Sequence, residues 1–84
     1  MSHWNHRVLA TEHNGEIFFG VHEVYYDDEG KPNASTKEAV RIGSECIEGI
    51  QWQLTKIYEC LQKPILWGDE RFPQEFKMEE NEKP

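Results

Sequence analysis

The sequence predicts a single α+β domain, in which an antiparallel sheet of three or four strands packs on one amphipathic helix. Three observations support this prediction: an Asn14-Gly15 turn signal between two apolar-rich segments, a second turn at 27–32, and a helical apolar pattern at 44–61. With 84 residues, the chain has room for one modest core, because a domain of this size buries only about 60% of its unfolded surface.

The first two strands are predicted to form a hairpin. Asn-Gly is the preferred dipeptide of a two-residue type I′ turn, because both positions need a positive φ. Such a turn pairs Trp4 with Tyr25 and His6 with Glu23. The expected core face of this register is an apolar set that comprises Trp4, Val8, Ala10, Ile17, Phe19, Val21 and Tyr25. On the other face, Phe18, Val24 and Tyr26 have no evident cover and are reserve candidates for a contact surface.

The turn at 27–32 leads into a short third strand that we expect at 33–36, beside the second strand. Pro32 suits the start or the edge of a strand, since its missing N–H group is tolerated there. Val40 and Ile42 then form either one more extended segment or the anchor of the connection to the helix.

The helix is predicted over residues 44–61. Its apolar positions recur at helical spacing and form one stripe, made of Ile47, Ile50, Leu54, Ile57, Tyr58 and Leu61. A stripe of this width is typical of a helix that packs on a sheet. Ser44 is the expected N-cap, and Lys63-Pro64 ends the helix because the residue before a proline resists helical φ and ψ.

Trp52 lies nearly opposite the centre of that stripe and needs cover from the tail of the chain, from a second copy or from another protein. We place the domain at residues 1–66, followed by an acidic, aromatic-containing tail at 67–84 whose last eight or so residues we expect to be disordered. The predicted partner-binding residues are the aromatic side chains of the helix and the tail, namely Trp52, Trp67, Phe72 and Phe76.

Charge and composition limit the function classes. The formal net charge of −7, from 16 acidic and 9 basic residues, works against binding to nucleic acid and to anionic membranes. Neither a secretory signal nor a transmembrane stretch is evident. Cys46 and Cys60 would lie about 21 Å apart on the helix, too far for a disulfide. We therefore expect reduced thiols and a cytoplasmic protein.

The most chemical-looking pair is His6 with Glu23, which could serve as an acid–base couple or begin a metal site, although a structural polar pair is the simpler interpretation. The four histidines do not share a face, and the acidic turn at 27–29 lacks the remaining ligands of a calcium loop. Common catalytic and nucleotide-binding motifs are absent. We expect no metal or cofactor; the enzymatic alternative is a metal-dependent hydrolase or nuclease that uses His6, Glu23 and Asp27.

Two segments carry a resemblance: Trp4-Asn5-His6-Arg7-Val8, and the run from His22 to Pro32, which reads His-Glu-Val-Tyr-Tyr-Asp-Asp-Glu-Gly-Lys-Pro. They resemble a group of small bacterial proteins with no known activity, and this resemblance implies a compact ββ(β)α fold without transferring any catalytic residue. The strand order also looks like the small half-domain of HicB-type antitoxins, which have a partial ribonuclease-H-like fold; that likeness concerns the fold alone.

Together these observations predict a small acidic cytoplasmic protein that is a non-catalytic protein-interaction module. The expected partner is a second copy, giving a homodimer, or a more basic protein. A HicB-like antitoxin half-domain that occludes a basic partner and the metal-dependent hydrolase or nuclease are the alternatives.

Overall fold

The computed structural model describes residues 3–77 and contains four strands and one helix. In chain order the elements are β1 (His3–His13), β2 (Glu16–Tyr26), β3 (Pro32–Ser35), α1 (Ile47–Cys60) and β4 (Leu66–Trp67). The sheet has the order β3-β2-β1-β4 and is antiparallel except for β4, which runs parallel to β1. The α+β class and the N-terminal hairpin are as predicted.

The hairpin has the predicted register. Asn14 and Gly15 have φ values of 53° and 83°, the positive values that a type I′ turn requires. Trp4 is paired with Tyr25, and His6 is paired with Glu23. The dipeptide at the turn therefore determines the pairing of both long strands.

The third strand begins at Pro32, one residue before the predicted start, and pairs with β2 across a register shift at Tyr25 and Tyr26. The chain then continues along β2, because the Val40 amide donates to the Val21 carbonyl at 2.8 Å. Val40 thus anchors the connection to α1, which was one of the two interpretations of this segment.

The sheet has the fourth strand that was predicted as possible, but this strand is β4 and not a segment at Val40 and Ile42. In β4, Leu66 pairs in parallel with Leu9. The amide of Gly68, the residue after the strand, donates to the Ala10 carbonyl at 2.7 Å. After a turn the chain comes back along β4, where the Phe76 amide donates to the Ile65 carbonyl at 2.7 Å. The domain boundary predicted after residue 66 falls inside β4, and the end expected to be disordered lies largely outside the described residues.

The core lies on the face of the hairpin opposite to the predicted one. It consists of Leu9, Val24, Tyr26 and Leu66, with Phe72 packed against it. The predicted core face is wrong for Trp4 and Phe19, which are exposed, whereas Val8 and Ala10 on that face are buried. The reason is that β4 and the turn after it bring Leu66 and Phe72 to the opposite face, where Leu9 and Val24 lie. Of the reserve contact candidates, Val24 and Tyr26 are therefore buried, whereas Phe18 is exposed.

The helix is shorter at its start than predicted. Cys46, with φ −144°, occupies the N-cap position without a side-chain capping bond, whereas Ser44, the predicted cap, lies two residues earlier and accepts from the Cys46 amide at 3.4 Å. Leu61 is the C-cap, and Pro64 follows. Within residues 3–77, no helix has the length and apolar character needed to cross a membrane.

Candidate interaction surface

The outward face of α1 carries a row of large apolar side chains that we call the α1 stripe, defined as Ile47, Leu54, Tyr58 and Leu61. Their exposed fractions are 69%, 49%, 66% and 61%, respectively. The spacing places all four on one side of the helix. The helix packs on the sheet as predicted, but not through the whole predicted stripe: these four residues face solvent, and only Ile50 and Ile57 of that set are half-buried.

The stripe is exposed because α1 turns its other side toward β1, the strand that it contacts. Cys60, on that inner side, is buried. Gln53, in the middle of α1, holds the segment that leads into the helix. Its Oε1 accepts from the Gly43 amide at 3.0 Å, and its Nε2 donates to the Arg41 carbonyl at 3.5 Å. Packing of the inner side thus fixes the orientation that leaves the stripe outside.

Uncharged residues border the stripe. At about 100° per residue, the positions nearest to it are the half-buried Ile50 and Ile57 on one side and the polar residues Gln51, Thr55 and Gln62 on the other. The ion pair between Lys56 and Glu59, with 3.6 Å between Nζ and Oε1, lies on the side of the helix opposite the stripe. Within α1, the residues that border the stripe therefore carry no charge.

Trp52 lies on the inner side of α1, opposite the stripe, and remains half exposed. Its ring centroid is 6.5 Å from that of His6, which in turn packs edge-on against Trp4 at 5.4 Å. Lys56 Nζ lies 5.9 Å from the Trp52 ring centroid. The neighbours of Trp52 in these contacts come from β1 and from the helix itself, not from the aromatic residues near the C-terminal end.

The other three predicted contact residues pack within the chain. Trp67 stacks on the Arg71 guanidinium, with 3.3 Å between the guanidinium carbon and the ring centroid, and packs edge-on against Phe76 at 5.0 Å. Phe76 also contacts Phe19 at 5.4 Å, and Phe72 packs on the core. The structure thus brings Trp67 and Phe76 together and holds Trp52 apart from them.

A polar clamp fixes the turn that follows β4. Arg71 donates to Asp69 Oδ2 at 2.6 Å and to Glu12 Oε1 at 3.1 Å. The hydrogen bond from Arg71 is the main reason that the pKa of Asp69 is lowered to about 2, and the same bond raises the pKa of Arg71. The clamp holds Trp67 and Arg71 in their stacked arrangement.

The polar residues considered for catalysis are engaged separately. Glu23 faces His6 in the predicted register, but its carboxylate accepts from the Tyr25 hydroxyl at 2.6 Å, which raises the pKa of Tyr25. Asp27 accepts from the Lys31 and Glu29 amides at 2.9 Å each, and these bonds, that of Lys31 foremost, lower its pKa. Among residues 3–77, no three His, Cys, Asp or Glu side chains form a group suited to a metal ion.

Sequence reasoning identified the apolar positions of α1 but not their exposure. The available signal was the uncharged border around a repeat in which Ile47, Leu54 and Leu61 are seven residues apart, a spacing that is also typical of helix-to-helix contacts between chains. Comparison of the chain with protein-family profiles, with curated proteins and with solved structures found no match.

Proposed function

We propose that this protein is a small, non-catalytic interaction module that self-associates, with the α1 stripe of one copy lying against the α1 stripe of a second copy. The observation that carries this proposal is the exposure of four large apolar side chains on one face of a single helix. Leaving such side chains in water is unfavourable, and contiguous apolar patches commonly mark protein interaction sites.

The area of the stripe supports a weak dimer. Its four side chains expose roughly 500 Å². This area lies in the upper half of the range of about 300–600 Å² that is found for the largest apolar patch on a typical monomer. Two copies would bury on the order of 1,000 Å² in total, which is close to the lower limit for specific interfaces. Interfaces of this small size are typical of weak and transient contacts, so we expect an affinity of about micromolar and an exchange between monomer and dimer with protein concentration.

The arrangement of the stripe is compatible with two-fold symmetry. Leu54 lies seven residues from Ile47 and seven from Leu61, so antiparallel helices crossing at Leu54 place Ile47 of one copy near Leu61 of the other. Such an interface uses the same patch on both copies, as two-fold dimers do. Antiparallel packing also places opposite ends of the two helix dipoles together.

The charge distribution favours a second copy over a basic partner. The chain as a whole carries a net charge of −7, but the border of the stripe carries none, so two copies avoid close like-charge contacts there. A basic partner of the kind expected for an antitoxin would instead be recognised by acidic residues around the contact. The acidic residues of α1, Glu48 and Glu59, lie outside this border.

The test is a series of sedimentation velocity runs from about 5 µM to 500 µM, a range that spans the expected micromolar affinity. Leu54→Glu places two like charges at the proposed two-fold axis, and we expect it to remain monomeric. Lys56→Gln is the matched control, because it lowers the net charge by the same amount on the far side of the helix. Circular dichroism checks that both variants are folded.

The proposal predicts a concentration-dependent dimer for the wild type and for Lys56→Gln, but not for Leu54→Glu. A wild-type chain that stays monomeric at the highest concentration contradicts it, and so does equal dimerisation of the two folded variants.

A further inference from the structure

A second surface lies on the inner side of α1, in the concavity between the helix and the start of β1. We call it the Trp52 pocket and define it by Trp4, His6, Trp52, Lys56, Cys60 and Lys63. Its volume is about 480 Å³, which falls in the range of about 300 to 1,000 Å³ that is typical of small-molecule sites. The pocket does not include the residues of the α1 stripe, so it is independent of the proposed dimer contact.

Aromatic rings form the walls of the pocket. The His6 ring is nearly perpendicular to Trp4, with an interplanar angle of 82°, and is inclined by 67° to Trp52. Both indoles remain about half exposed, so their surfaces are accessible to a ligand. Indole rings pack favourably against other planar rings, by offset stacking or by edge-to-face contact.

The rim of the pocket carries an excess of positive charge. Lys56 and Lys63 line it together with one carboxylate, that of Glu59, which pairs with Lys56. Asn5 also lines the pocket, and its side-chain oxygen accepts from the Tyr26 hydroxyl at 2.8 Å. In a chain with a net charge of −7, this local excess of cations is a feature suited to an anion.

Arg7 adds a buried cation next to the pocket. It is 8% exposed and donates to two neutral acceptors, the Tyr26 hydroxyl at 2.9 Å and the Pro64 carbonyl at 2.7 Å. Its Nε is buried without a hydrogen-bond partner in the part of the chain that the structure describes. The charge of Arg7 reaches the pocket lining: burial raises the pKa of Cys60, and Arg7 opposes that rise.

We infer that the Trp52 pocket binds a small planar aromatic anion, whose ring packs against Trp4 and Trp52 and whose carboxylate is held by Lys63. The aromatic walls select a planar ring, and the cations at the rim select a negative charge. A neutral ring of the same shape would keep the first contact and lose the second.

The test uses the full-length protein and follows the indole N–H signals of its three tryptophans by NMR during titration with 1-naphthoate. Trp67 is an internal reference, because it packs against Arg71 and Phe76. We expect saturable shifts of the Trp4 and Trp52 signals and no shift of the Trp67 signal. The neutral analogue 1-naphthalenemethanol should bind about three- to fivefold more weakly, a ratio in the upper part of the range expected from the loss of one partly exposed ion pair.

Two lysine variants separate a charge contact from a nonspecific effect. Lys63→Gln should weaken 1-naphthoate binding by about three- to fivefold, whereas Lys37→Gln, at an exposed position outside the pocket, should change it by less than about twofold. In the Leu54→Glu variant the affinity should be unchanged, since the stripe is not involved. Equal affinities for the acid and the alcohol, equal effects of the two lysine variants, or shifts that never saturate would each overturn the inference.

Discussion

Arg7 shows how a single residue depends on distant parts of the chain. A buried guanidinium is unfavourable unless hydrogen bonds compensate for lost hydration. Here the Tyr26 hydroxyl accepts from Arg7 and donates to Asn5, and the Pro64 carbonyl, 57 residues away in the chain, accepts the other bond. The predicted register places Arg7 on the face opposite the predicted core, but its burial could not be predicted, because Pro64 is brought to it by α1.

We expect Tyr26→Phe to lower the free energy of unfolding by about 1–3 kcal/mol, because it leaves Arg7 without one acceptor and Asn5 without its donor in a buried site. Urea denaturation followed by circular dichroism measures the loss. Tyr25→Phe is the control, since the Tyr25 hydroxyl donates to Glu23 at a more accessible site, and it should have the smaller effect. Equal losses in the two variants would show that the Arg7–Tyr26–Asn5 hydrogen bonds contribute no more to the free energy of unfolding than the more accessible Tyr25 contact does.

At the scale of elements, the sequence predicted the pairing of neighbouring segments but not the contacts between segments that are far apart in the chain. The hairpin register followed from Asn14-Gly15, because a two-residue turn fixes the pairing of the strands beside it. The two-residue strand β4 is too short for a periodic pattern, and its partner is far away in the sequence. The predictions of the core face and of the outward side of α1 failed in part for a related reason. Both hairpin faces carry apolar residues, and the later part of the chain decides which face is covered.

Gly68, the residue after β4, packs closely against β1. A Cβ atom at this position would lie 2.9 Å from Leu9 Cβ and 3.2 Å from Thr11 Oγ1. We therefore expect Gly68→Ala to destabilise the protein by about 1–3 kcal/mol through overpacking, as measured by chemical denaturation.

Gly43→Ala is the matched control for this prediction, because nothing lies within 4 Å of the added Cβ. Its effect should stay within about 0.5 kcal/mol, as for most surface substitutions. If Gly68→Ala is as stable as Gly43→Ala, then β4 does not pack tightly on β1.

At the scale of the whole molecule, the net charge of −7 sets how self-association responds to salt. Two copies repel each other at long range, and salt screens this repulsion with a Debye length of about 10 Å at 0.1 M. We expect the dimer to become several-fold tighter as sodium chloride rises from about 0.05 M to 0.5 M. Sedimentation equilibrium at each salt concentration measures the change.

The same measurement distinguishes the source of the attraction. An association held together by opposite charges weakens with salt, so weaker dimers in high salt would contradict contact through the apolar α1 stripe. The charge itself was readable from composition, whereas the position of the uncharged stripe relative to the sheet required the fold.

The parallel pairing of β1 with β4 has a consequence for the nascent chain. The ribosome releases the hairpin first, while Leu66 and Phe72, which complete its core, emerge only after α1. Parallel pairing needs such a crossover, and contacts between distant residues form slowly. Leu9 and Val24 of the hairpin therefore stay uncovered until residues 66–72 have been synthesised. A chain interrupted before residue 66 exposes this apolar face and is prone to aggregate.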